Sequence, residues 1–189
     1  MILVIDTSSP SISVVGTIDQ SQMSETISPG RGLDLDYLKG LIQSAPITKI
    51  AVASGPGSFT GLRVGVSFGL GLAIGLRVPI VPLPTLELQA ARSDEPVTAV
   101  ADAGRGRFYY QVPGGEPALG EASDIPTTYP VVGRVANREA ALIAAGHRFK
   151  PEKELRRLVE AAARMLETAS EVPYGSLEIS YMQTLPPKA

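Results

Sequence analysis

Cysteine and tryptophan are absent from the 189 residues, and His147 is the single histidine. Without cysteine there is no disulfide, no thiolate metal site and no thiol nucleophile, and one histidine cannot build a His-rich metal cluster. A serine nucleophile with His147 as base satisfies the inventory, but a lone histidine more often has a structural or solvated role. Charge of one sign is lacking too. Seventeen Lys and Arg stand against nineteen Asp and Glu, a net charge of −2, so no global positive field draws the chain to phosphate backbones. The start, MILVIDTSS, has no basic segment before its short apolar run, which predicts a cytoplasmic protein with no leader. The most apolar stretch, 64–83, is interrupted by Arg77, Pro79 and Pro82, and five glycines fall between 61 and 75, which argues against a membrane span.

What is present is 44% hydrophobic residues, enough for one sizeable domain or two small lobes. Ile2 to Ile5, ending in Asp6, and Ser11 to Thr17 predict a strand, acidic turn and strand, with a weaker strand near Ser24 to Ser28. PGRG at 29–32 precedes Leu33, Leu35, Leu38, Leu41 and Ile42, the apolar face of an amphipathic helix. KIAVAS at 49–54 predicts a buried strand, 59–76 a long helix, Ile80 to Pro82 a short strand, and Thr85 the cap of a helix through Ala91. Polar residues Arg92 to Pro96 predict a boundary between a lobe at 1–95 and a shorter lobe at 96–189. The second half echoes the first. ILVID, TSSP and SISVVG are matched by VTAVAD, AGRG and RFYYQV, so Asp6 and Asp102 end equivalent strands of two repeats. Beyond these, Val131 to Val135 predicts a strand, and Arg138 to Ala145 and Pro151 to Thr168 predict helices.

Between strand 49–54 and helix 59–76 lies GPGSFTGLR, residues 55–63. A glycine-rich turn into a helix presents backbone N–H groups and a positive dipole end to an anion. Ser58 or Thr60 is the expected N-cap, and Arg63 adds a formal charge one turn in. The string has no Lys-Ser or Lys-Thr of a Walker loop, and Gly55, Gly57 and Gly61 miss the dinucleotide spacing. An anion cradle and a plain capped turn therefore both fit. In the helix, Gly61, Gly65 and Gly69 recur every four residues and line one face. Each glycine costs about 0.8–1 kcal/mol against alanine, so close packing must compensate. Almost no polar face remains, which predicts a helix covered on both sides, by the sheet and by a second chain or the second lobe, a second chain being the favoured reading.

ILVIDTSS, GPGSFTGLRVG with its apolar helix, VPLPTLE and DAGRGRFY over residues 1–110, and more loosely ISYMQTLPP near the C-terminus, resemble the TsaB family, also called YeaZ. The resemblance implies an α/β fold of the actin and Hsp70-like ATPase superfold, with ribonuclease H-like lobes, two related lobes and the second shortened. It implies a scaffold or activator in making threonylcarbamoyladenosine (t6A) on tRNAs reading ANN codons. The implied partners are a TsaD-like catalytic paralogue, a TsaE-like ATPase, a second copy of the chain when isolated, and tRNA indirectly; a separate enzyme, TsaC, supplies threonylcarbamoyl-adenylate.

On this reading the partner interface is Gly61, Leu62, Gly65, Val66, Phe68, Gly69 and Leu72, with Leu38 and Leu41, and Gly69→Glu is expected to abolish association while leaving the lobe folded. Candidate anion or nucleotide contacts are Asp6, Thr7, Ser8, Gly55, Gly57, Ser58, Thr60, Arg63 and Asp102. No catalytic residue and no cofactor is expected, with ATP or ADP as the weaker reading. No metal is expected, because the catalytic paralogue's paired-His region reads RGLDLDYLKGLIQ here, and Asp34 and Asp36 lie on different helix faces. Gly104 and Arg107 depart from DARxGEVY, the family's more usual second hairpin. The rival readings are an ATPase or small-molecule kinase with Asp6 and Asp102 orienting Mg²⁺, and a peptidase, for which nucleophile and base are missing. Arg148, Lys150, Lys153, Arg156 and Arg157 read as a solvated helix face.

Overall fold

β1 (Ile2–Asp6) pairs antiparallel with β2 (Ile12–Ile18), which pairs antiparallel with β3 (Met23–Pro29). On its other side β1 runs parallel to β4 (Lys49–Gly55), and β4 runs parallel to β5 (Ile80–Pro84), giving the order β3-β2-β1-β4-β5. The computed structural model describes residues 1–20, 22–30 and 32–182. Arg31 of the PGRG turn and Gln183 to Pro187 of ISYMQTLPP lie outside the described residues. β1 and β4 are continuous apolar runs because both their faces are covered, whereas the polar β3 is an edge strand.

One face of this sheet carries α1 (Leu35–Ser44) and α2 (Phe59–Leu76). Asp34, a candidate ligand by residue type, instead caps α1 by accepting the Tyr37 amide at 2.9 Å. Ser58 caps α2 by accepting the Gly61 amide, and Arg77 closes the helix in the left-handed region at φ 56°. The opposite face carries α3 (Thr85–Ala90) and α5 (Leu158–Leu166), with Val4, Val14, Ala51, Ala53, Val81 and Leu83 meeting Leu88, Leu158, Val159, Ala161 and Ala162. Thr85 does not cap α3 as expected. It begins the helix, and its hydroxyl accepts the Gly55 amide at 3.1 Å, tying α3 to the glycine-rich turn.

The second half rebuilds the same sheet. β6 (Thr98–Gly104), β7 (Arg107–Gln111), β8 (Ala118–Gly120) and β9 (Val131–Val132) are ordered β8-β7-β6-β9, with β6 and β9 parallel. A parallel bridge from Val131 to Phe149 stands where β4 meets β5 in the first half. Both first strands carry an aspartate at the turn that accepts the amide two residues on, Asp6 at the end of β1 and Asp102 two residues before the end of β6: Ser8 to Asp6 at 2.8 Å and Gly104 to Asp102 at 2.7 Å. The expected repeat is thus present in topology and in turn chemistry. Its helical parts are short: α4 (Glu139–Ala144) has six residues against eighteen in α2.

Two expectations need correction. The helix expected at 151–168 is a 3₁₀ turn at Glu152–Glu154 followed by α5, because Arg92 and Arg156 pull the intervening chain inward. The basic stretch 148–157 is therefore not one helix face: Lys150 bonds Glu95 at 2.5 Å, Arg156 pairs with Asp94, and Arg157 pairs with Glu160. The boundary stretch 92–96 is anchored at its start. Arg92 is buried and bonds the Arg156 carbonyl, Gln89 and Glu152. After Arg157 the chain returns to the first sheet, with α5 on one face and 172–182 along its β5 edge and α2.

Candidate functional site

The glycines of α2 explain the lobe before they explain a partner. A Cβ at Gly61 would meet the Thr7 carbonyl oxygen at 2.0 Å, one at Gly65 the Thr7 Oγ1 at 2.2 Å, and one at Gly69 the Val52 Cγ1 at 2.4 Å. These three let α2 lie almost on the backbone of β1 and β4, where the Thr7 hydroxyl donates to the Gly61 carbonyl at 2.7 Å. Gly61, Leu62, Gly65, Val66, Gly69 and Leu38 are consequently buried in the lobe's own core. They are unavailable to a partner, and Gly69→Glu would break the lobe. Phe68, Leu72 and Leu41 are half-buried at the margin of that core. The outward stripe of α2 is Ser67, Gly71, Ile74 and Gly75, and nothing lies within 4 Å of a Cβ at Gly71 or Gly75. By length and composition α2 is apolar enough to cross a membrane, but its glycine face is spent on this sheet.

The candidate anion contacts divide into two groups. Gly57, Ser58 and Thr60 line one wall of an inter-lobe cleft of about 360 Å³ whose other wall is Asp102, Ala103, Gly104, Tyr109 and Arg138. Pro10 and Phe59 complete it. Asp6, Thr7, Ser8 and Gly55 are buried away from that cleft. The Ser58 amide donates to the Ser8 carbonyl at 2.7 Å, and a Cβ at Gly57 would stand 2.7 Å from the same oxygen, so the glycine-rich turn is sealed onto the first acidic turn. Asp6 and Ser8 line only a cavity of about 10 Å³ with Ser9, Thr85, Gln89 and Arg134, room for one water at most. Arg63 points out of the cleft: its guanidinium lies 3.8 Å over the Phe59 ring, and its Nε donates to the Tyr181 hydroxyl at 3.0 Å.

Arg134 and Arg138 are functional-looking residues that motif reading missed. Both follow β9, in the stretch that repeats the glycine-rich turn after β4, so aligning the halves through Phe149 would have found them. Gly133 makes the turn possible: at φ 151° its missing Cβ would collide with the Val100 carbonyl oxygen at 1.8 Å. Arg134 then enters the interior with Glu25 at 4.0 Å. Burial, and then repulsion from Arg92, hold its guanidinium below the ordinary arginine range, opposed by the charges of Asp6 and Glu25. Its Nη1 has no hydrogen-bond partner among the described residues. Arg138 Nε lies 3.4 Å from the Asp102 carboxylate, inside the cleft. His147 is buried, its Nε2 bonded to the Ala122 carbonyl at 2.9 Å in the second lobe, so it orients backbone and is no base for a serine. Among the described residues no group of three His, Asp or Glu side chains converges as metal ligands would.

The cleft therefore has one basic and one acidic wall group already paired with each other, while the carboxylate that would orient a metal in an ATPase of this fold faces an arginine instead. Residues 39–169 match the family model TsaD, tRNA N6-adenosine threonylcarbamoyltransferase. The chain is similar to the tRNA threonylcarbamoyladenosine biosynthesis protein TsaB of Bacillus subtilis, 42% identical over 66 residues, covering 33% of this chain and 29% of that protein. The TsaB proteins of Haemophilus influenzae and Escherichia coli are each 36% identical over 69 residues, covering 34% of this chain and 29% and 30% of theirs. The alignments thus span under a third of these relatives' length. YeaZ from Pseudomonas aeruginosa has the same fold, with a TM-score of 0.71 at 18% identity over 96% of this chain and 99% of that one. With the family model matching more than half of the chain, the chain belongs to the TsaD family, and the relatives it is similar to over about a third of its length are TsaB proteins of three bacteria.

Proposed function

We propose that this chain is a non-catalytic scaffold or activator subunit that pairs with a TsaD-like paralogue, in the cytoplasm, for threonylcarbamoylation of adenosine in tRNAs reading ANN codons, with a TsaE-like ATPase as further partner. The observation that carries the pairing is the outward stripe of α2. Gly71 and Gly75 each cost the helix about 1 kcal/mol, and unlike Gly61, Gly65 and Gly69 they gain no contact inside the chain. Ile74 is 51% exposed beside them, and Leu76 follows at 39%. Small residues flanked by exposed apolar ones suit the close approach of a second helix, and Phe68, Leu72 and Leu41 border that face. In the isolated protein a second copy covers it.

The test is light scattering and copurification with a purified TsaD-like chain. Gly71→Glu should abolish association and leave the circular dichroism native; Gly69→Glu should unfold the lobe. A wild-type protein that stays monomeric and never binds the TsaD-like chain overturns the proposal. The ATPase reading gains no support from Asp6, which is walled off beside Arg134. Heat on titration with Mg-ATP, with phosphate release, would reinstate it.

A further inference from the structure

The mouth of the inter-lobe cleft concentrates features the docking face does not use. On the first-lobe side, Phe59 is 53% exposed and Tyr181 44%, with ring centroids 5.3 Å apart and the Arg63 guanidinium against both. On the second-lobe side, the β6–β7 hairpin turns through Gly104, Arg105 and Gly106, and Arg138 Nη1 lies 4.0 Å from where a Gly106 Cβ would be. Strand alternation places Arg107 on the face of Tyr109, which lines the cleft. Arg105 and Arg107 have no acidic partner among the described residues. Arg105 also holds a left-handed conformation at φ 53°, which an L-residue adopts at a cost that glycine or asparagine would avoid.

In a chain of net charge −2, Arg138 lines this opening and Arg63, Arg105 and Arg107 stand on the elements that flank it, while the lining acid, Asp102, is already bonded to Gly104 and Arg138. Exposed rings beside guanidinium groups are the combination that stacks unpaired bases while neutralising their phosphates. A stretch of duplex offers phosphates but no free base faces.

We propose that this mouth is a contact surface for a single-stranded segment of RNA, its bases on Phe59 and Tyr181 and its phosphates on Arg105, Arg107 and Arg138. This rests on the tRNA-modification reading, in which RNA contact is otherwise indirect. Phe59 opens α2 and lies apart from the docking stripe of Ser67, Gly71, Ile74 and Gly75, so partner docking and RNA binding are separable.

The experiment is fluorescence anisotropy with a full-length tRNA transcript reading an ANN codon, over a salt series, for this chain alone and with the TsaD-like chain added. Arg105→Gly with Arg107→Gln should keep the fold and flatten the slope of log K against log salt by about 1.4, at about 0.7 per lost phosphate contact. Phe59→Ala should weaken binding roughly tenfold with the slope unchanged. Unaltered affinity and slope in both variants overturn the proposal, as does competition by duplex RNA or tripolyphosphate equal to that by single-stranded RNA. Copurification of the same variants with the TsaD-like chain reads the docking proposal independently: if no complex forms, docking fails, and the chain-alone titration still decides the RNA surface.

Discussion

Alanine at Gly65 and alanine at Gly71 should change stability in opposite directions, although both remove a glycine from the same helix. Helix propensity alone favours each replacement by about 0.8–1 kcal/mol. At Gly71 nothing lies within 4 Å of the new methyl, so that gain is realised. At Gly65 the methyl would arrive 2.2 Å from Thr7 Oγ1 and 3.5 Å from Ile5 Cγ2. The Thr7 hydroxyl must leave its 2.7 Å bond to the Gly61 carbonyl, at about 0.5–1.5 kcal/mol, or α2 must lift from the sheet, an overpacking cost of about 1–3 kcal/mol. With the propensity gain subtracted, lifting α2 leaves a net loss at Gly65 of up to about 2 kcal/mol, which separates the two variants by about 1–3 kcal/mol. Urea unfolding followed by circular dichroism, at concentrations where light scattering reports a monomer, should show a higher midpoint for Gly71→Ala and a lower one for Gly65→Ala. In thermal melts the upper end of that gap is about 6–12 °C, at about 2–4 °C per kcal/mol for a chain of this size. Two shifts of the same sign would refute the division of α2 into an inner and an outer glycine series.

Arg105→Gly should raise the unfolding midpoint by up to about 1 kcal/mol, because it relieves a left-handed residue at the hairpin; a loss in urea melts would contradict that. Arg134→Met should cost about 3 kcal/mol in the same assay, since it leaves the buried carboxylates of Asp6 and Glu25 without their cation, and adding Asp6→Asn should recover part of it. The Arg156 and Arg164 hydrogen bonds hold the Asp94 carboxyl below its ordinary value of 3.8. Its contribution is therefore fully present above about pH 4 and lost as the pH falls through the lower folded-state value. Wild type and Asp94→Asn should converge in thermal midpoint in strong acid and differ near neutrality, and a constant gap at every pH would count against the clamp.

Most strands were legible in the sequence because apolar runs such as ILVID and KIAVAS have few other uses, and the internal repeat was legible because each half follows its first apolar run with an aspartate. What composition cannot show is which side of an all-apolar helix meets the sheet. Gly61, Gly65 and Gly69 differ from Gly71 and Gly75 only by their angle around α2, and that angle is fixed by Thr7 and Val52, far away in sequence. The division of the candidate anion contacts was hidden for a related reason: Asp6 to Ser8 and Gly55 to Ser58 lie in the expected turns, but the turns close on each other through the Ser58–Ser8 bond, which leaves Gly57, Ser58 and Thr60 on the cleft and buries Asp6, Thr7, Ser8 and Gly55. Arg92 and Arg156 were read as polar surface, and Arg134 was passed over inside an expected strand, because interior charge depends on partners from remote segments, here Glu152, Asp94 and Glu25.

The return of α5 and residues 172–182 to the first sheet governs the order in which this chain is able to fold. When the ribosome has released residues 1–90, Val4, Val14, Ala51 and Val81 still lack Leu158, Val159, Ala161 and Ala162 above them, and the amide partner of the Ser54 carbonyl, on Ser180, has not been made. The first lobe begun is thus among the last to be finished. The second, 98–149, closes one face of its sheet, with Val100, Phe108, Ile125, Val131, Val135 and Leu142, from local chain, and its other face, Ala99, Ala101 and Tyr109, already has Leu86 and waits on Met182.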